Sequence, residues 1–174
     1  MAFSTSFGQE DQIIADVIFK NDYPIEVFTL DTGRLFEATY KVFEDTQTKY
    51  QKKIRTYFPE RRAVESLIND KGPYSFYYSV ENRKECCEIR KVNPLQKALK
   101  GVDLWITGLR ASQSTARYEI KIFGYDAAFG LPKFNPLAYW ELSTVENYLQ
   151  EKQVPQNSLH TEGFVSIGCA PCTR

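Results

Sequence analysis

Short apolar runs along the chain alternate with segments whose apolar residues recur at helical spacing. The runs at residues 2–6, 25–30 and 53–58 have the length and the side chains of buried strands. Further strand candidates are residues 103–107 and 118–123. This pattern predicts a set of short strands separated by longer elements.

The elements between the strands have helical periodicity. Ile14, Val17 and Ile18 recur about one turn apart, and residues 35–50 carry aromatic side chains along one face. Residues 143–146, Ser-Thr-Val-Glu, have the capping-box pattern at the start of a last helix. We therefore predict an α/β fold with a mostly parallel sheet flanked by helices, in which ligands bind at the carboxyl ends of the strands.

Length and charge narrow the class of protein. The 174 residues fit a single domain, residues 1–174, and 22 basic side chains balance 22 acidic ones. This balance gives no case for nucleic acid or for an anionic membrane as a partner. No apolar signal segment opens the sequence, so we expect a cytoplasmic location and reduced cysteines. A homo-oligomer is compatible with the sequence.

Two loops at predicted strand ends carry polar side chains. The first precedes a helix amino terminus, where free N–H groups and the helix dipole favour an anion. It lacks the Gly-Lys-Ser/Thr ending of a Walker loop, so hydroxyl capping of an ordinary turn explains it as well. Its residues are Ser4, Thr5, Ser6, Phe7 and Gly8. The second loop could accept hydrogen bonds from a ribose or cap the next helix, and consists of Leu30, Asp31, Thr32 and Gly33.

A third loop, residues 108–117, follows another strand candidate. It gathers Arg110 and Arg117 with the amide of Gln113, several hydroxyl groups and Gly108. Two guanidinium groups suit bidentate binding of a phosphate or sulfate. A solvated surface loop is the alternative interpretation.

The four cysteines form two close pairs that are far apart in sequence: Cys86 with Cys87, and Cys169 with Cys172. Four thiolates suit either zinc or a [4Fe-4S] cluster. Adjacent cysteines on a helix point roughly 100 degrees apart, which suits separate irons better than one tetrahedral ion. Inert buried thiols and a redox Cys-x-x-Cys pair remain open alternatives.

Several strings resemble the assimilatory adenylylsulfate reductases, nearly end to end and in the same order. They are Ser-Phe-Gly-Gln-Glu-Asp at residues 6–11, Phe-Thr-Leu-Asp-Thr-Gly-Arg at 28–34, Glu-Cys-Cys-Glu-Ile-Arg-Lys at 85–91, Trp-Ile-Thr-Gly-Leu-Arg at 105–110, Lys-Phe-Asn-Pro-Leu at 133–137 and Ser-Ile-Gly-Cys-Ala-Pro-Cys-Thr-Arg at 166–174. The resemblance implies a fold akin to the pyrophosphatase-loop (adenine nucleotide alpha hydrolase-like) enzymes. It also implies a [4Fe-4S] cluster on the four cysteines.

The same resemblance implies the reaction and the binding roles. Adenosine 5'-phosphosulfate would bind across the three loops, and a thiolate would attack its sulfur to release AMP and leave an S-sulfocysteine. Thioredoxin or a similar dithiol would then free sulfite. Lys91 follows Cys87 by four residues, hence on the same helical face, and would relieve the repulsion between an anionic cluster and an anionic substrate. Arg110 and Arg117 would clamp the phosphosulfate.

The sequence also departs from the resemblance. Family enzymes continue into a tail that bears the nucleophilic cysteine, and no fifth cysteine is present here. We therefore expect substrate and cluster binding with poor turnover by this chain alone. The alternatives are a 3'-phosphoadenylylsulfate reductase, a non-catalytic nucleotide-binding iron-sulfur module and a zinc-stabilised structural protein. His160, the sole histidine, is interpreted as packing or hydrogen bonding near the second cysteine pair.

Overall fold

Six strands form one sheet in the computed structural model, which describes residues 1–113 and 120–173. They are β1 (Ala2–Thr5), β2 (Glu26–Leu30), β3 (Arg55–Tyr57), β4 (Trp105–Ile106), β5 (Phe123–Asp126) and β6 (Leu131–Phe134). The strand order is β3-β2-β1-β4-β6-β5, and every neighbouring pair is parallel except β5 with β6. The predicted mostly parallel sheet is confirmed.

Helices cover both faces of this sheet. They are α1 (Gln9–Lys20), α2 (Glu37–Tyr50), α3 (Arg61–Lys71), α4 (Val80–Cys87), a π-helical segment (Glu88–Val92), α5 (Asn93–Ala98) and α6 (Leu142–Glu151). Short 3₁₀ turns are Ser75–Tyr77, Ala111–Gln113, Ser158–Glu162 and Ala170–Cys172. In the described residues, every helix is too short or too polar to span a bilayer.

Alternation along the strands divides the core into two layers. Phe3 of β1 packs in one cluster with residues of α1, α2 and α6, whereas its neighbour Ala2 packs in another cluster with Ala98 and Leu99 at the end of α5. Successive strand residues point to opposite faces, so both faces of the sheet are buried. Because both faces are covered, a ligand site can form at the carboxyl ends of the parallel strands.

The structure corrects the prediction for the last strands. Residues 118 and 119 of the predicted strand 118–123 lie outside the described residues, and residues 120–122 are not in a strand. The observed strand, β5, starts at Phe123 and pairs antiparallel with β6, which the sequence did not predict. Pro132 lies within β6, and a proline argues against a strand because it has no N–H to donate.

Two helix predictions also need correction. The last helix exists, but it starts at Leu142 with Glu141 as its N-cap and no side-chain cap, so the capping box headed by Ser143 is not formed. Lys91 does not follow Cys87 along an α-helix, because the intervening segment is π-helical. Pro94 explains why this segment is π-helical and not α-helical. Its nitrogen has no hydrogen to donate to the carbonyl one turn earlier, and in an α-helix its ring would clash with that carbonyl.

Candidate active site

A cavity of about 400 Å³ opens at the carboxyl ends of β1, β2 and β4. Its walls come from the loops that follow these three strands, from Lys91, and from residues 165–169 of the second cysteine segment. The cavity therefore lies where a parallel α/β sheet is expected to bind a ligand.

The loop after β1 turns the chain sharply into α1. Ser4, Thr5, Ser6, Phe7 and Gly8 all line the cavity. Phe7 has a positive φ of 61°, which is uncommon for a residue with a side chain. Its buried ring stacks on that of Phe43, with the two ring centroids 4.9 Å apart. Helix α1 then starts with Gly8 as N-cap and without a side-chain cap. This leaves the first-turn N–H groups of α1 at the cavity, as an anion site requires.

Asp11, in the first turn of α1, ties two of the loops together. Its Oδ2 accepts hydrogen bonds from the backbone N and the Oγ of Ser6, at 2.6 and 2.7 Å. Burial raises the pKa of this carboxyl to about 6, against the lowering effect of the Ser6 hydrogen bonds. An ideal Cβ on Gly108 would lie 2.1 Å from Asp11 Oδ1. The sequence analysis missed this residue, which lies in one of the strings that carry the resemblance.

The loop after β2 divides into wall residues and turn residues. Leu30 and Thr32 line the cavity. Asp31 instead accepts hydrogen bonds from Gly33 N at 2.7 Å and from the hydroxyl of Tyr40 at 3.0 Å. Burial and the hydrogen bond to Asp31 raise the pKa of Tyr40 to about 12. Asp31 therefore shapes the loop and connects it to α2.

The loop after β4 contributes Gly108 to the cavity wall. Arg110 is buried, and its Nε donates to Glu10 Oε1 at 2.9 Å while its Nη1 donates to Ser112. Gln113 ends the described part of this loop, and Arg117 lies outside the described residues. The predicted anion clamp of Arg110 and Arg117 thus stays a prediction.

The four cysteines come from two segments. Cys86 and Cys87 end α4, Cys169 and Cys172 bracket the last 3₁₀ turn, and none of them forms a disulfide. Burial raises the pKa of the Cys86 thiol. The nearby Arg90 lowers it, and the thiols of Cys87 and Cys169 raise it further. Within residues 1–113 and 120–173, no three histidine, cysteine or acidic side chains are arranged to hold a metal ion.

The second cysteine segment is anchored to the loop after β2. Thr32 Oγ1 lies 3.2 Å from Cys169 Sγ, and the backbone N of Ala170 donates to the carbonyl of Arg34 at 2.8 Å. Arg90 Nη1 donates to the Thr32 carbonyl at 2.6 Å, so the first cysteine helix holds the same loop. Both cysteine segments are therefore attached to the loop after β2, which also lines the cavity.

Lys91 faces this site from the π-helical segment. It lines the cavity, and its Nζ lies 3.7 Å from the position of an ideal Cβ on Gly168. Lys91 makes no ion pair with any residue that the structure describes. Its charge is therefore available to an anionic ligand next to the Cys169 turn.

His160 lies on the same segment as Cys169 and also lines the cavity. Its Nδ1 is 2.8 Å from the carbonyl of Phe164, and its Nε2 is buried without a hydrogen-bond partner among the described residues. A carbonyl only accepts, so Nδ1 carries a proton. The predicted hydrogen-bonding role near the cysteine turn agrees with this geometry.

Sheet and cavity together define an α/β protein with the adenine nucleotide alpha hydrolase-like fold. A model of the phosphoadenosine phosphosulfate reductase domain matches residues 1–174. The chain belongs to the phosphoadenosine phosphosulfate reductase family, which confirms the resemblance found in the sequence.

Relatives with assigned activities agree with this family. The adenosine 5'-phosphosulfate reductase of Allochromatium vinosum is 44% identical over 174 residues, which are 100% of this chain and 68% of that protein. The enzyme of the same name from Neisseria meningitidis serogroup B is 41% identical over 173 residues, 99% of this chain and 70% of that protein. These relatives support an oxidoreductase that acts in sulfate reduction at the level of the family.

Solved structures confirm the fold. Phosphoadenylyl-sulfate reductase from Candida auris, in a phosphate complex, superposes with a TM-score of 0.85 at 29% identity and covers 99% of this chain and 83% of its own. Candida glabrata FMN adenylyltransferase, in complex with FAD and pyrophosphate, has a TM-score of 0.66 at 17% identity, covering 98% of this chain and 55% of its own. The second likeness shows the fold alone.

Proposed function

We propose that this domain binds adenosine 5'-phosphosulfate and carries out its reduction to sulfite and AMP. The observation that supports this most directly is a single cavity lined both by the Ser6–Gly8 turn at the start of α1 and by Lys91 with Cys169. A site for a nucleotide alone would need only the Ser6–Gly8 turn. A site built on cysteines alone would need only Lys91 and Cys169. A reductase of an activated sulfate needs both within reach of one ligand.

The cavity suggests how the substrate is held. Leu30, Trp105 and Leu109 supply apolar surface for the adenine. The open amino end of α1 and the turn before it would bind the phosphosulfate, with Lys91 adding a positive charge. Arg110, Gln113 and Arg117 remain proposed contacts to the same anion. Charge-assisted hydrogen bonds from several sides would hold the sulfur in a fixed position.

The number and chemical type of the cysteine donors suit an iron-sulfur cluster. Four reduced thiols come from two segments that Thr32, Arg34 and Arg90 hold together, and thiolates are the ligands that such clusters take. Cys86, Cys87, Cys169 and Cys172 would hold the [4Fe-4S] cluster. When bound, the cluster would supply a fixed anionic group that links α4 to the Cys169 turn. Lys91 would then offset the repulsion between this negative charge and that of the substrate.

The proposed chemistry has two steps. A thiolate attacks the sulfur of the bound phosphosulfate, a new S–S bond forms, and the S–O bond to the phosphate breaks with its electron pair leaving on AMP. A dithiol such as thioredoxin then attacks the resulting S-sulfocysteine, so that sulfite departs and the dithiol becomes a disulfide. Because the four cysteines are assigned to the cluster, the attacking thiol would come from a group outside these residues. The chain alone would therefore turn over poorly.

One observation favours a second substrate. The family model and the Candida auris structure both carry the name of the 3'-phosphorylated nucleotide. The curated relatives are named for the unphosphorylated one, and they are more similar in sequence. Competition binding with both nucleotides decides between them. Equal affinity, or tighter binding of the 3'-phosphorylated form, would contradict the preference proposed here.

The test of the proposed function starts with protein purified without oxygen. Its visible absorption, iron and sulfide are measured before and after adenosine 5'-phosphosulfate is added, beside the variant Cys169→Ser. We expect about four irons per chain, the complement of a cubane, and absorption that responds to the nucleotide. Cys169→Ser should lose iron. A colourless zinc protein that ignores the nucleotide would overturn the proposal.

A further inference from the structure

The segment that carries His160 packs against the amino ends of two helices. Gln12, in the second turn of α1, donates through Nε2 to the carbonyl of Pro155 at 2.8 Å. Asn157 donates through Nδ2 to the hydroxyl of Thr39, near the start of α2, at 3.1 Å. The amino end of a helix carries a partial positive charge. Residues 155–157, which precede His160, therefore lie beside the first turns of α1 and α2, and Thr39 of α2 lines the same cavity as His160.

The free nitrogen of His160 needs a partner from outside the described chain. Nδ1 is occupied by the Phe164 carbonyl, and Nε2 is buried without a hydrogen-bond partner in residues 1–113 and 120–173. A buried polar atom without a hydrogen bond is costly, so a native site normally completes it with a ligand or a water. Both Thr39 and His160 line the cavity, so a ligand there can reach this nitrogen.

The other charged groups around the cavity are mostly engaged. Glu10 on α1 pairs with Arg110, and Lys133 on β6 pairs with Asp126 at 3.0 Å. Asp11 accepts hydrogen bonds from Ser6. Cys169 is assigned to the cluster. Of the two lysines that line the cavity, Lys133 has this ion pair and Lys91 has none among the described residues. A phosphosulfate carries two negative charges, so a further positive group at this wall would add to Lys91 and to the proposed arginine contacts.

We propose that His160 binds the phosphosulfate of the nucleotide through Nε2 and does so as an imidazolium. This inference rests on the proposed function, since it assigns a new contact in the same site. Oxygens of the phosphosulfate only accept, so Nε2 has to donate, and Nδ1 already donates to Phe164. Both nitrogens therefore donate in the bound state, which requires an imidazolium. His160 is then a substrate-binding residue that makes affinity depend on pH.

Two substitutions separate the two ring nitrogens. In His160→Asn the amide nitrogen can take the place of Nδ1 and keep the bond to the Phe164 carbonyl, while nothing replaces Nε2. In His160→Gln the amide nitrogen reaches the place of Nε2 and can donate at every pH. The thermal midpoint of each variant is measured first. His160→Gln also carries the test where His160→Asn fails to fold.

The experiment measures the affinity of the full chain for adenosine 5'-phosphosulfate and for adenosine between about pH 6 and pH 8.5, a range that contains the usual charge change of histidine. For the phosphosulfate we expect wild type to bind about tenfold more tightly than His160→Asn at pH 6, with the difference shrinking as pH rises. His160→Gln should bind with intermediate affinity and a weaker pH dependence than wild type. Adenosine should bind all three equally. Comparing variants cancels the contribution of Asp11, whose raised pKa lies in the same range.

The outcomes are distinct. Parallel pH curves for wild type and His160→Asn, or equal losses for adenosine and the phosphosulfate, would overturn the role of His160 and leave the proposed function standing. If wild type binds adenosine 5'-phosphosulfate at no pH, the proposed function falls and this contact falls with it.

Discussion

The carboxylate of Asp11 occupies the space that any side chain at position 108 would need. An ideal Cβ on Gly108 would lie 2.1 Å from Asp11 Oδ1 and 3.2 Å from the backbone N of Asp11. The first turn of α1 and the loop after β4, which both line the cavity, are therefore in direct contact. Position 108 has to be glycine, because a side chain there would collide with Asp11.

Gly108→Ala should consequently destabilise the protein. A methyl group at this distance forces the carboxylate or the loop to move, and overpacking of this kind costs about 2 kcal/mol or more. Chemical denaturation and nucleotide affinity measure the effect, and adding Asp11→Ala should restore part of the stability. Gly124→Ala on β5 is the matched control, because no atom of the described residues lies within 4 Å of its added methyl. Equal stability of the two single variants would contradict the clash.

Asp11 should also make stability fall as pH rises. Its carboxyl has a folded-state pKa of about 6, against the ordinary 3.8, because burial disfavours its charge. Between these values the folded protein keeps a proton that the unfolded chain has released, so stability decreases with pH. The shift corresponds to about 3 kcal/mol. The difference in unfolding free energy, wild type minus Asp11→Asn, should therefore fall by roughly 2 kcal/mol from pH 4 to pH 7, because the rest of the change lies below pH 4.

Urea denaturation of both proteins across this range provides the measurement. The comparison with Asp11→Asn removes contributions of other titrating groups that the two proteins share. Curves that stay parallel from pH 4 to pH 7 would show that Asp11 titrates normally in the folded state.

The parts of the fold that sequence predicted are those fixed by local pattern. The run at residues 25–30 is apolar and short, and it is β2 in the structure. β6 was not predicted, because four residues that include Pro132 carry no strand pattern of their own. Its place comes from pairing with β4 and β5 on either side. Tertiary pairing, which local sequence does not encode, decides such strands.

The candidate site likewise has features that the sequence could predict and features that it could not. The cysteine pairs and the Ser4–Gly8 loop could be found from residue type and spacing. The ion pair between Arg110 and Glu10 joins residues 100 positions apart, so it could not be found from spacing. The π-helical segment had one signal, Pro94, placed one turn after Arg90. That Nε2 of His160 is buried without a hydrogen-bond partner among the described residues could be found only from the three-dimensional structure.

A third prediction concerns Asp16, which is fully buried between α1, α2 and α6. It accepts hydrogen bonds from the hydroxyls of Tyr50 and Tyr148 and pairs with Lys20 at 2.9 Å. Burial raises the pKa of Asp16, but these partners outweigh it and leave the pKa below its ordinary value. Asp16→Asn should cost roughly 2–4 kcal/mol at neutral pH, since both tyrosine hydroxyls and the lysine lose a charged partner.

The pH dependence for Asp16 has the opposite sign to that for Asp11. A depressed pKa contributes stability that is present above the ordinary pKa and is lost as pH falls through the folded-state value. The advantage of wild type over Asp16→Asn should therefore shrink below about pH 4, as acid titration followed by circular dichroism can show. Asp45→Asn, in an exposed pair with Lys41, should leave stability nearly unchanged. A constant advantage of wild type down to pH 2 would show that folding does not lower the pKa of Asp16.

The last prediction concerns Lys91 and separates binding of charge from packing. Removing its ammonium in Lys91→Ala should weaken binding of adenosine 5'-phosphosulfate by about tenfold at low salt, because one charge-assisted contact to an anion is lost. The wild-type advantage should diminish as ionic strength rises, while adenosine binding stays the same. Lys97→Ala, on the exposed side of α5, controls for the general loss of a positive charge. Isothermal titration at two salt concentrations measures all three proteins. An equal loss of affinity for adenosine would mean that Lys91 supports the cavity by packing, and the charge that stabilises the phosphosulfate would then have to come from elsewhere.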